Sequence, residues 1–209
     1  MKDTSVSSYS VMIPHELVTL GSVELTSIAT GFAAVDRMVK KAPVSIIDAR
    51  AVCPGKFFIL VTGDVASVED SVEAGREQAG GSLTGSFVIP NLSTSVLPAI
   101  NRAAEISAEE ALGVVETFSA ASAVYAADAS VKAAEVRLGS LNLVNGLGGK
   151  AYYLIVGKVT DVETGVAAGC KAVEPRDVAD SVVIANFHPD LISFLPGRFI
   201  QSSSVSVKG

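Results

Sequence analysis

An α+β fold is predicted by the sequence, with two tandem copies of one small domain, each a mostly antiparallel sheet with helices on one face. Three observations lead to this prediction. The chain repeats itself, each repeat alternates β-branched runs with residues at helical spacing, and turn residues join the two middle runs. The length of 209 residues also suits two small domains.

The internal repeat is direct and covers both halves of the chain. Residues 20–44 match residues 112–136 at 12 of 25 positions, and residues 55–75 match residues 149–169 at 10 of 21. Shared composition does not produce this many identities, so the chain is a duplication. The offset changes from 92 to 94 between the two blocks, so one copy has a longer loop there. The predicted organisation is an N-terminal arm (1–16), a first domain (17–98), a linker (99–110), a second domain (111–196) and a C-terminal tail (197–209).

Each copy is predicted to run strand, helix, strand, turn, strand, helix, strand. In the first copy, Thr26 or Ser27 can cap a helix that Pro43 ends. The apolar residues that recur at helical spacing along it are Ile28, Phe32, Val35 and Val39. The other predicted elements are strands at 20–25, 44–52, 57–62 and 87–90, and a second helix that opens at Gly63-Asp64.

The two predicted hairpin tips differ between the copies. In the first tip, Cys53 to Lys56, proline stands second and glycine third, as a type II turn requires. The second tip, residues 145–150, is rich in glycine and invites comparison with a phosphate-binding loop. Ala151 stands where such a loop needs Ser or Thr, and a strand follows where a helix should. We therefore interpret it as a structural loop that permits close backbone approach.

Composition excludes several classes of function. Only 18% of residues are charged and 49% are hydrophobic, which indicates that much of the surface lies against other subunits. The longest apolar runs have five or six residues, whereas a membrane-spanning helix needs about 20. A net charge of −6 without a basic cluster argues against binding to nucleic acid. With two cysteines and no recognisable signal peptide, a cytoplasmic location is predicted.

Few side chains suggest chemistry. Cys53 is the exception, although a lone thiol at a turn is most often a bystander, because iron–sulfur and zinc sites need several ligands. Three-fold symmetry would supply those ligands by bringing three copies of Cys53 to one axis. Cys170 is placed on the second helix of the other copy and is given no role. His15 and His188 lack partners at metal-ligand spacing and are interpreted as surface or capping residues.

Glu24 and Glu116 occupy the same position in the two copies, just before a helix begins. Their duplication points to a structural role, and we expect them to bond the N–H groups at the helix starts. The sequence contains no recognisable Ser–His–Asp or Cys–His arrangement, so we predict a structural protein rather than an enzyme.

The openings of the two copies resemble the bacterial microcompartment (BMC) shell domain. The residues that carry the resemblance are Leu20-Gly21, Glu24, Asp36 and Lys40, with Leu112-Gly113, Glu116, Asp128 and Lys132 in the second copy. Two such domains in one chain resemble the tandem, trimer-forming shell proteins. The propanediol-utilisation type is especially similar in Cys53–Phe57, in the stretch 90–100 and in Gly148-Gly149-Lys150. The resemblance covers about residues 17–196.

The resemblance implies two tandem ferredoxin-like domains and a pseudohexameric homotrimer with a central pore. Such trimers tile edge to edge with other shell proteins around encapsulated enzymes, redox enzymes among the candidates, in the cytoplasm. It places Lys40 and Lys132 at the tile edge. The implied pore loops are Cys53, Pro54, Gly55 and Lys56 in the first copy and Asn145, Gly146, Leu147, Gly148 and Gly149 in the second.

In the propanediol-type relatives the cysteine that matches Cys53 binds a [4Fe–4S] cluster, one per trimer, on the three-fold axis. The resemblance therefore implies Cys53 as a cluster ligand, with the fourth iron open. One departure concerns the last strand, where many single-domain members carry a Pro-Arg-Pro-His type motif. Pro90-Asn91-Leu92-Ser93 and Ala185-Asn186-Phe187-His188 stand there, so an edge contact through arginine is not expected.

Three functional hypotheses follow. In the first, the chain is a shell tile whose pore holds a Cys53-bound cluster and transfers electrons, or the cluster itself, across the shell. The second keeps the tile, leaves Cys53 as a free thiol and makes the pore a passage for metabolites. The third is a soluble ligand-binding trimer of ferredoxin-like domains.

Overall fold

The computed structural model describes residues 18–100, 110–143 and 148–195. The predicted arm and tail, and most of the predicted linker, lie outside these residues. The first domain contains β1 (Val18–Leu25), α1 (Ile28–Lys41), β2 (Ser45–Val52), β3 (Lys56–Gly63), α2 (Val65–Ala79), β4 (Leu83–Leu92) and a short α3 (Val96–Ala99). The second contains β5 (Ala111–Thr117), α4 (Ala120–Ala133), β6 (Arg137–Leu143), β7 (Ala151–Gly157), α5 (Val159–Lys171) and β8 (Val178–Ile184).

Each domain has one four-stranded antiparallel sheet. The strand orders are β2-β3-β1-β4 and β6-β7-β5-β8, so the duplication extends to the topology. The predicted α+β class and the predicted order of strands and helices are confirmed. The described part of the chain contains no helix that is both long and apolar enough to span a membrane.

Local sequence explains where the helices begin. The Ser27 hydroxyl accepts a hydrogen bond from the Thr30 N–H at 3.2 Å, and Ser119 does the same for Ser122 at 3.1 Å. Asp64 caps α2 by accepting from the Ser67 hydroxyl and the Ser67 N–H, and these bonds hold the pKa of Asp64 below its usual value. Each cap satisfies one of the N–H groups that a helix start leaves without an intrahelical partner.

Both faces of each sheet are covered. The long helices cover one face, where Val23, Ile59 and Met38 pack together in the first domain. On the other face of that sheet, Leu20 and Leu60 share a cluster with Val96 and Leu97 of α3. In the second domain the 3-10 helix Pro189–Phe194 takes the place of α3. These short segments were not predicted from the sequence.

The predicted apolar stripe of α1 covers its own sheet only in part: Val35 packs against the core, whereas other members stay exposed. The buried residues of α1 are Gly31, Ala34 and Met38, whereas Phe32 is 65% exposed and Ile28 is 42% exposed. Gly31 explains this orientation, because a Cβ there would lie 2.4 Å from the Phe57 ring. The helix thus approaches the sheet through its smallest residue, and Phe32, whose ring lies 4.9 Å from the Phe57 ring, stays largely exposed.

A buried polar network distinguishes the core of the second domain. The Tyr153 hydroxyl and Ser130 Oγ are 2.8 Å apart, and Ser130 Oγ donates to the carbonyl of Gly165 at 2.7 Å. Tyr153 and Ser130 are completely buried. Burial raises the pKa of Tyr153. Because water does not reach the Tyr153 hydroxyl, Ser130 must supply its hydrogen bond, and without that bond burying the hydroxyl would destabilise the fold.

Ser130→Ala is expected to lower the free energy of unfolding by about 1–3 kcal/mol, because it leaves the Tyr153 hydroxyl buried without an acceptor. Tyr153→Phe removes that hydroxyl and leaves the Ser130–Gly165 bond in place, so a smaller loss of about 0.5–1.5 kcal/mol is expected. Urea unfolding of the two variants measures the difference. A Ser130→Ala loss no larger than that of Tyr153→Phe would contradict this account of the network.

Alkaline pH gives a second readout of the same variants. Since the pKa of Tyr153 is raised in the folded chain, the unfolded chain loses this proton first, near its ordinary value of 10.0. The stability that the buried hydroxyl contributes is complete below that pH and falls as the pH rises above it. Tyr153→Phe should make the decline above pH 10 shallower than in the parent.

Candidate functional site

The first hairpin tip is a three-residue loop, Cys53 to Gly55, closed by the pairing of Val52 with Lys56. The predicted hairpin is confirmed. Gly55 has a φ of 74°, the positive value that the third position of the predicted turn requires. The Cys53–Pro54 peptide bond is cis, which was not predicted. The Cys53 thiol is free and exposed, and Pro54 and Gly55 are exposed beside it.

The second hairpin tip is described only in part. Asn145, Gly146 and Leu147, which were predicted in this loop, lie outside the described residues. Gly148 and Gly149 have φ values of 64° and 96°, conformations in which residues with side chains are strained.

An ion pair stands at the base of each hairpin. Lys56 Nζ lies 2.7 Å from Glu24 Oε1, and Lys150 Nζ lies 3.0 Å from Glu116 Oε1. Lys150 also sits 5.5 Å from the centre of the Phe118 ring. The expectation that Glu24 and Glu116 bond helix-start N–H groups is wrong, because serine residues cap both helices and the glutamates reach lysines across the sheet. Their structural role stands, since the pair recurs in both copies.

Within one chain, metal-binding groups do not cluster. Among the described residues, no three His, Cys, Asp or Glu side chains are placed to hold a metal ion. Cys170 lies on α5, as predicted, and is half-buried. The His188 ring accepts a hydrogen bond from the Asp190 N–H at 3.3 Å and caps a 3-10 helix, which confirms its capping role. His15 lies outside the described residues.

The two domains meet along a seam, which we define as the contact of residues 91–100 with α4 and β6. Val96 and Leu97 share one apolar cluster with Val124, which is completely buried. Ile100 forms a parallel β-bridge with Leu141 of β6. A single hydrophobic core therefore runs through both domains at this contact.

Polar bonds fix the register of the seam. Asp128 on α4 accepts a hydrogen bond of 2.7 Å from the Ser93 N–H. Lys132, one turn later, pairs with Asp128 and donates at 2.9 Å to the carbonyl of Asn91. Asn91 has a φ of 60°, a value that asparagine tolerates better than most residues. Lys132, predicted at a tile edge, thus lies where the two domains join.

A second contact joins the stems of the two hairpins. Arg50 on β2 pairs with Asp48 through Nε at 2.6 Å, and its Nη2 donates at 3.0 Å to the carbonyl of Leu143. Leu143 is the last residue of β6, directly before the second hairpin loop. Sequence reasoning missed Arg50. A comparison of the two copies could have pointed to this residue, because arginine in the first copy is replaced by asparagine at the matching position 142.

The two copies differ in what their first helices expose. Ile28 and Phe32 of α1 correspond to Ala120 and Val124 of α4, which are 6% and 0% exposed inside the seam. The segment after the last strand shows the same contrast, because Ala99 is 5% exposed and the matching Phe194 is 82% exposed. Among the described residues, α1 and the segment after β8 each therefore present one half of a seam, here called a half-seam, that nothing covers.

Lys40 corresponds to Lys132 but makes fewer contacts. Its Nζ lies 2.6 Å from Asp36, and both side chains are well exposed, at 73% and 60%. Lys40 and Lys132 both lie in the last turn of their helices, as predicted. Each lysine pairs with an aspartate one turn earlier in its own helix, so the duplication includes this ion pair.

Comparison with known proteins assigns this architecture. The BMC domain family matches residues 19–92 and 111–187, one domain in each half. The chain therefore belongs to the BMC-domain family, and it is a shell protein of a bacterial microcompartment rather than an enzyme. The predicted family, fold class and location in the shell are confirmed, and the rival hypothesis of a soluble ligand-binding trimer finds no support.

Individual relatives agree with this assignment. The bacterial microcompartment shell protein PduT of Citrobacter freundii is 40% identical over 153 residues, which cover 73% of this chain and 83% of that protein. A crystal structure of a microcompartment protein from Desulfitobacterium hafniense is 41% identical, with a TM-score of 0.80, and covers 84% of this chain and 98% of its own. The fused permuted hexameric shell protein of the RMM microcompartment shares the fold at 19% identity, with a TM-score of 0.54 over 74% of this chain and 83% of its own.

Proposed function

We propose that the chain forms a homotrimer in which six BMC domains surround a central pore. The observation that supports this is the pair of unpartnered half-seams at the two ends of the chain. Inside the chain, the end of the first domain's sheet covers α4. The same contact repeated between chains would place the 3-10 helix Pro189–Phe194 of one copy over α1 of the next.

The repeat also indicates how such a contact would be bonded. Asp36 stands where Asp128 stands, so it matches the carboxylate that accepts a hydrogen bond from the backbone in the seam. Ile28 and Phe32 supply the apolar surface, and Phe194 supplies the matching one. A head-to-tail contact closes into a ring when the rotation that relates one chain to the next is a whole-number fraction of 360°. Six domains, the number that the family resemblance implies, correspond to three chains.

Phe32→Glu is expected to convert the trimer to monomers at micromolar concentration, because each of three interchain seams would bury a charge without a partner. Light scattering measures the mass of the assembly. Val65→Glu is the matched control: Val65 is 41% exposed and the equivalent Val159 is 37% exposed inside the same chain, so neither copy buries this position. A parent that is itself a stable monomer or dimer, or a trimer that survives Phe32→Glu, contradicts this interface.

We further propose that the pore of the trimer holds one [4Fe–4S] cluster on three copies of Cys53. Three features support the proposal. The thiol is free and exposed on a short closed loop, thiolate is the usual protein ligand of such clusters, and Cys170 lies apart on a helix. One chain supplies one ligand, so the site is complete only in the ring. A bound cluster would supply one-electron transfer, which makes redox enzymes inside the compartment the expected partners.

The chain's own residues would hold such a cluster through the hairpin. The Lys56–Glu24 pair anchors the base of the loop to β1, and the Val52–Lys56 pairing closes it. In this proposal, backbone N–H groups near Gly55 would donate to cluster sulfurs, a contact that tunes reduction potential. The alternative is a cluster-free tile whose pore passes metabolites, and the observation that favours it is that each chain offers a single thiol in the hairpin loop.

Cys53→Ser is expected to abolish bound iron and sulfide and the visible absorbance of anaerobically purified protein, while the trimer stays folded. The reason is that serine removes the thiolate from all three positions at once. Cys170→Ser is the matched control and should retain about four irons per three chains. Iron content that is equal in Cys53→Ser and the parent refutes the site, and a parent without iron favours the metabolite pore.

Lys40 is proposed to contact the neighbouring tile in the shell sheet, together with Lys132. Its ion pair with Asp36 is exposed, so its loss should cost the fold only about 0–1 kcal/mol. Lys40→Ala should therefore leave trimers intact and prevent sheets, as seen by electron microscopy. Lys41→Ala is the control, because Lys41 is the adjacent exposed lysine and Ala133 replaces it in the second copy. Sheets that form equally well in all variants show that Lys40 is not an edge residue.

A further inference from the structure

The two hairpins are anchored differently at their stems. The Lys–Glu pairs at 24/56 and 116/150 are common to both, so they do not distinguish one from the other. Arg50 belongs to the first hairpin alone. Its side chain is 34% exposed, its partner Asp48 is 14% exposed, and it reaches the second domain through the carbonyl of Leu143 at 3.0 Å.

The matching residue of the second domain makes no such crossing contact in the described structure. Asn142 lies at the position of Arg50, and its amide donates at 3.1 Å to Ser140 Oγ in its own strand. Ser140 in turn stands where the first domain has Asp48. The two copies have therefore diverged at both members of the pair. The contact between Arg50 and the Leu143 carbonyl is thus made from the copy whose loop carries the cysteine.

Arginine is the side chain suited to this task. Its planar guanidinium has several donors in fixed directions, so one group can bind the Asp48 carboxylate and a carbonyl at once. Asp48 fixes the guanidinium from its own strand, and Leu143 fixes it from the next domain. Cys53 is three residues beyond Arg50 and directly follows Val52, the last residue of the same strand. The position of β2 relative to β6 thus determines where the thiol stands.

We propose that Arg50 is a positioning residue that fixes the Cys53 hairpin against the stem of the second hairpin, so that three thiols can share one cluster. The inference rests on the proposed cluster site. A cubane cluster accepts its ligands only within a narrow range of geometry, and a site held about 1 Å too loosely loses function. Arg50 acts through Cys53 and touches no cluster atom in this proposal.

The experiment compares the full-length parent with Arg50→Gln and Arg50→Lys, and Arg76→Gln serves as control. Arg76 makes an exposed pair with Glu73 on α2 at 3.6 Å, away from both hairpins. Hydrogen exchange of residues 51–56 is measured by mass spectrometry on each chain. The midpoint potential is measured on anaerobically purified protein, and the EPR line width is measured after dithionite has reduced the cluster by one electron. Circular dichroism and light scattering establish that each variant is folded and trimeric.

Arg50→Gln should speed hydrogen exchange in residues 51–56 by about tenfold or more, because a charge-assisted bond is lost. It should also broaden the EPR line and shift the midpoint potential. Arg50→Lys should show smaller changes than Arg50→Gln in these measurements. Lysine keeps the positive charge beside Asp48 but lacks the planar guanidinium that binds two acceptors at once. Arg76→Gln should match the parent in every measurement.

Two results overturn the proposal. One is unchanged exchange in residues 51–56 of Arg50→Gln. The other is faster exchange with an unaltered potential and line width, because Arg50 would then stabilise the strand without positioning the ligand. If the unmodified protein contains no iron, the cluster proposal itself fails, and this result is distinct from the two above. The exchange comparison then still decides whether Arg50 fixes the hairpin, and the role toward a cluster is refuted.

Discussion

Burial of the α4 face beneath the end of the first domain's sheet determines how the rest of the chain is organised. Small apolar residues on α4 let Val96 and Leu97 approach closely, and Asp128 and Lys132 then bond the backbone that leads into α3. The seam orients the second sheet relative to the first and brings the stems of the two hairpins within reach of one arginine side chain. Without it, the chain would be two separate domains with no shared core.

A duplicated chain offers an internal comparison that separates maintenance of the fold from specialised roles. Features that recur within each domain, such as the Lys–Glu pairs at the hairpin bases, serve the domain itself. Features that differ mark what one copy does and the other does not. Cys53 and Arg50 belong to the second group, and both lie in the same hairpin.

The sequence allowed the domain architecture to be predicted, because strand and helix periodicity, serine and aspartate caps and turn residues are local signals that agree with one another. It did not reveal which face of α1 would be covered, because that depends on the close approach of Gly31 to Phe57, a contact between distant residues. The partners of Glu24 and Arg50 were missed for the same reason: each is set by strand register and domain packing rather than by neighbours in sequence.

The volumes of the side chains along the half-seams also limit which chains can pack against one another. Alanine and valine line the seam inside the chain, whereas isoleucine and two phenylalanines stand at the matching free surfaces. A surface of small side chains laid against a surface of large ones would not match either seam and would leave voids or overlaps, each of which is costly. In the proposed trimer, the shape of these surfaces would therefore disfavour a ring that mixes this chain with a shell chain whose matching side chains differ in volume.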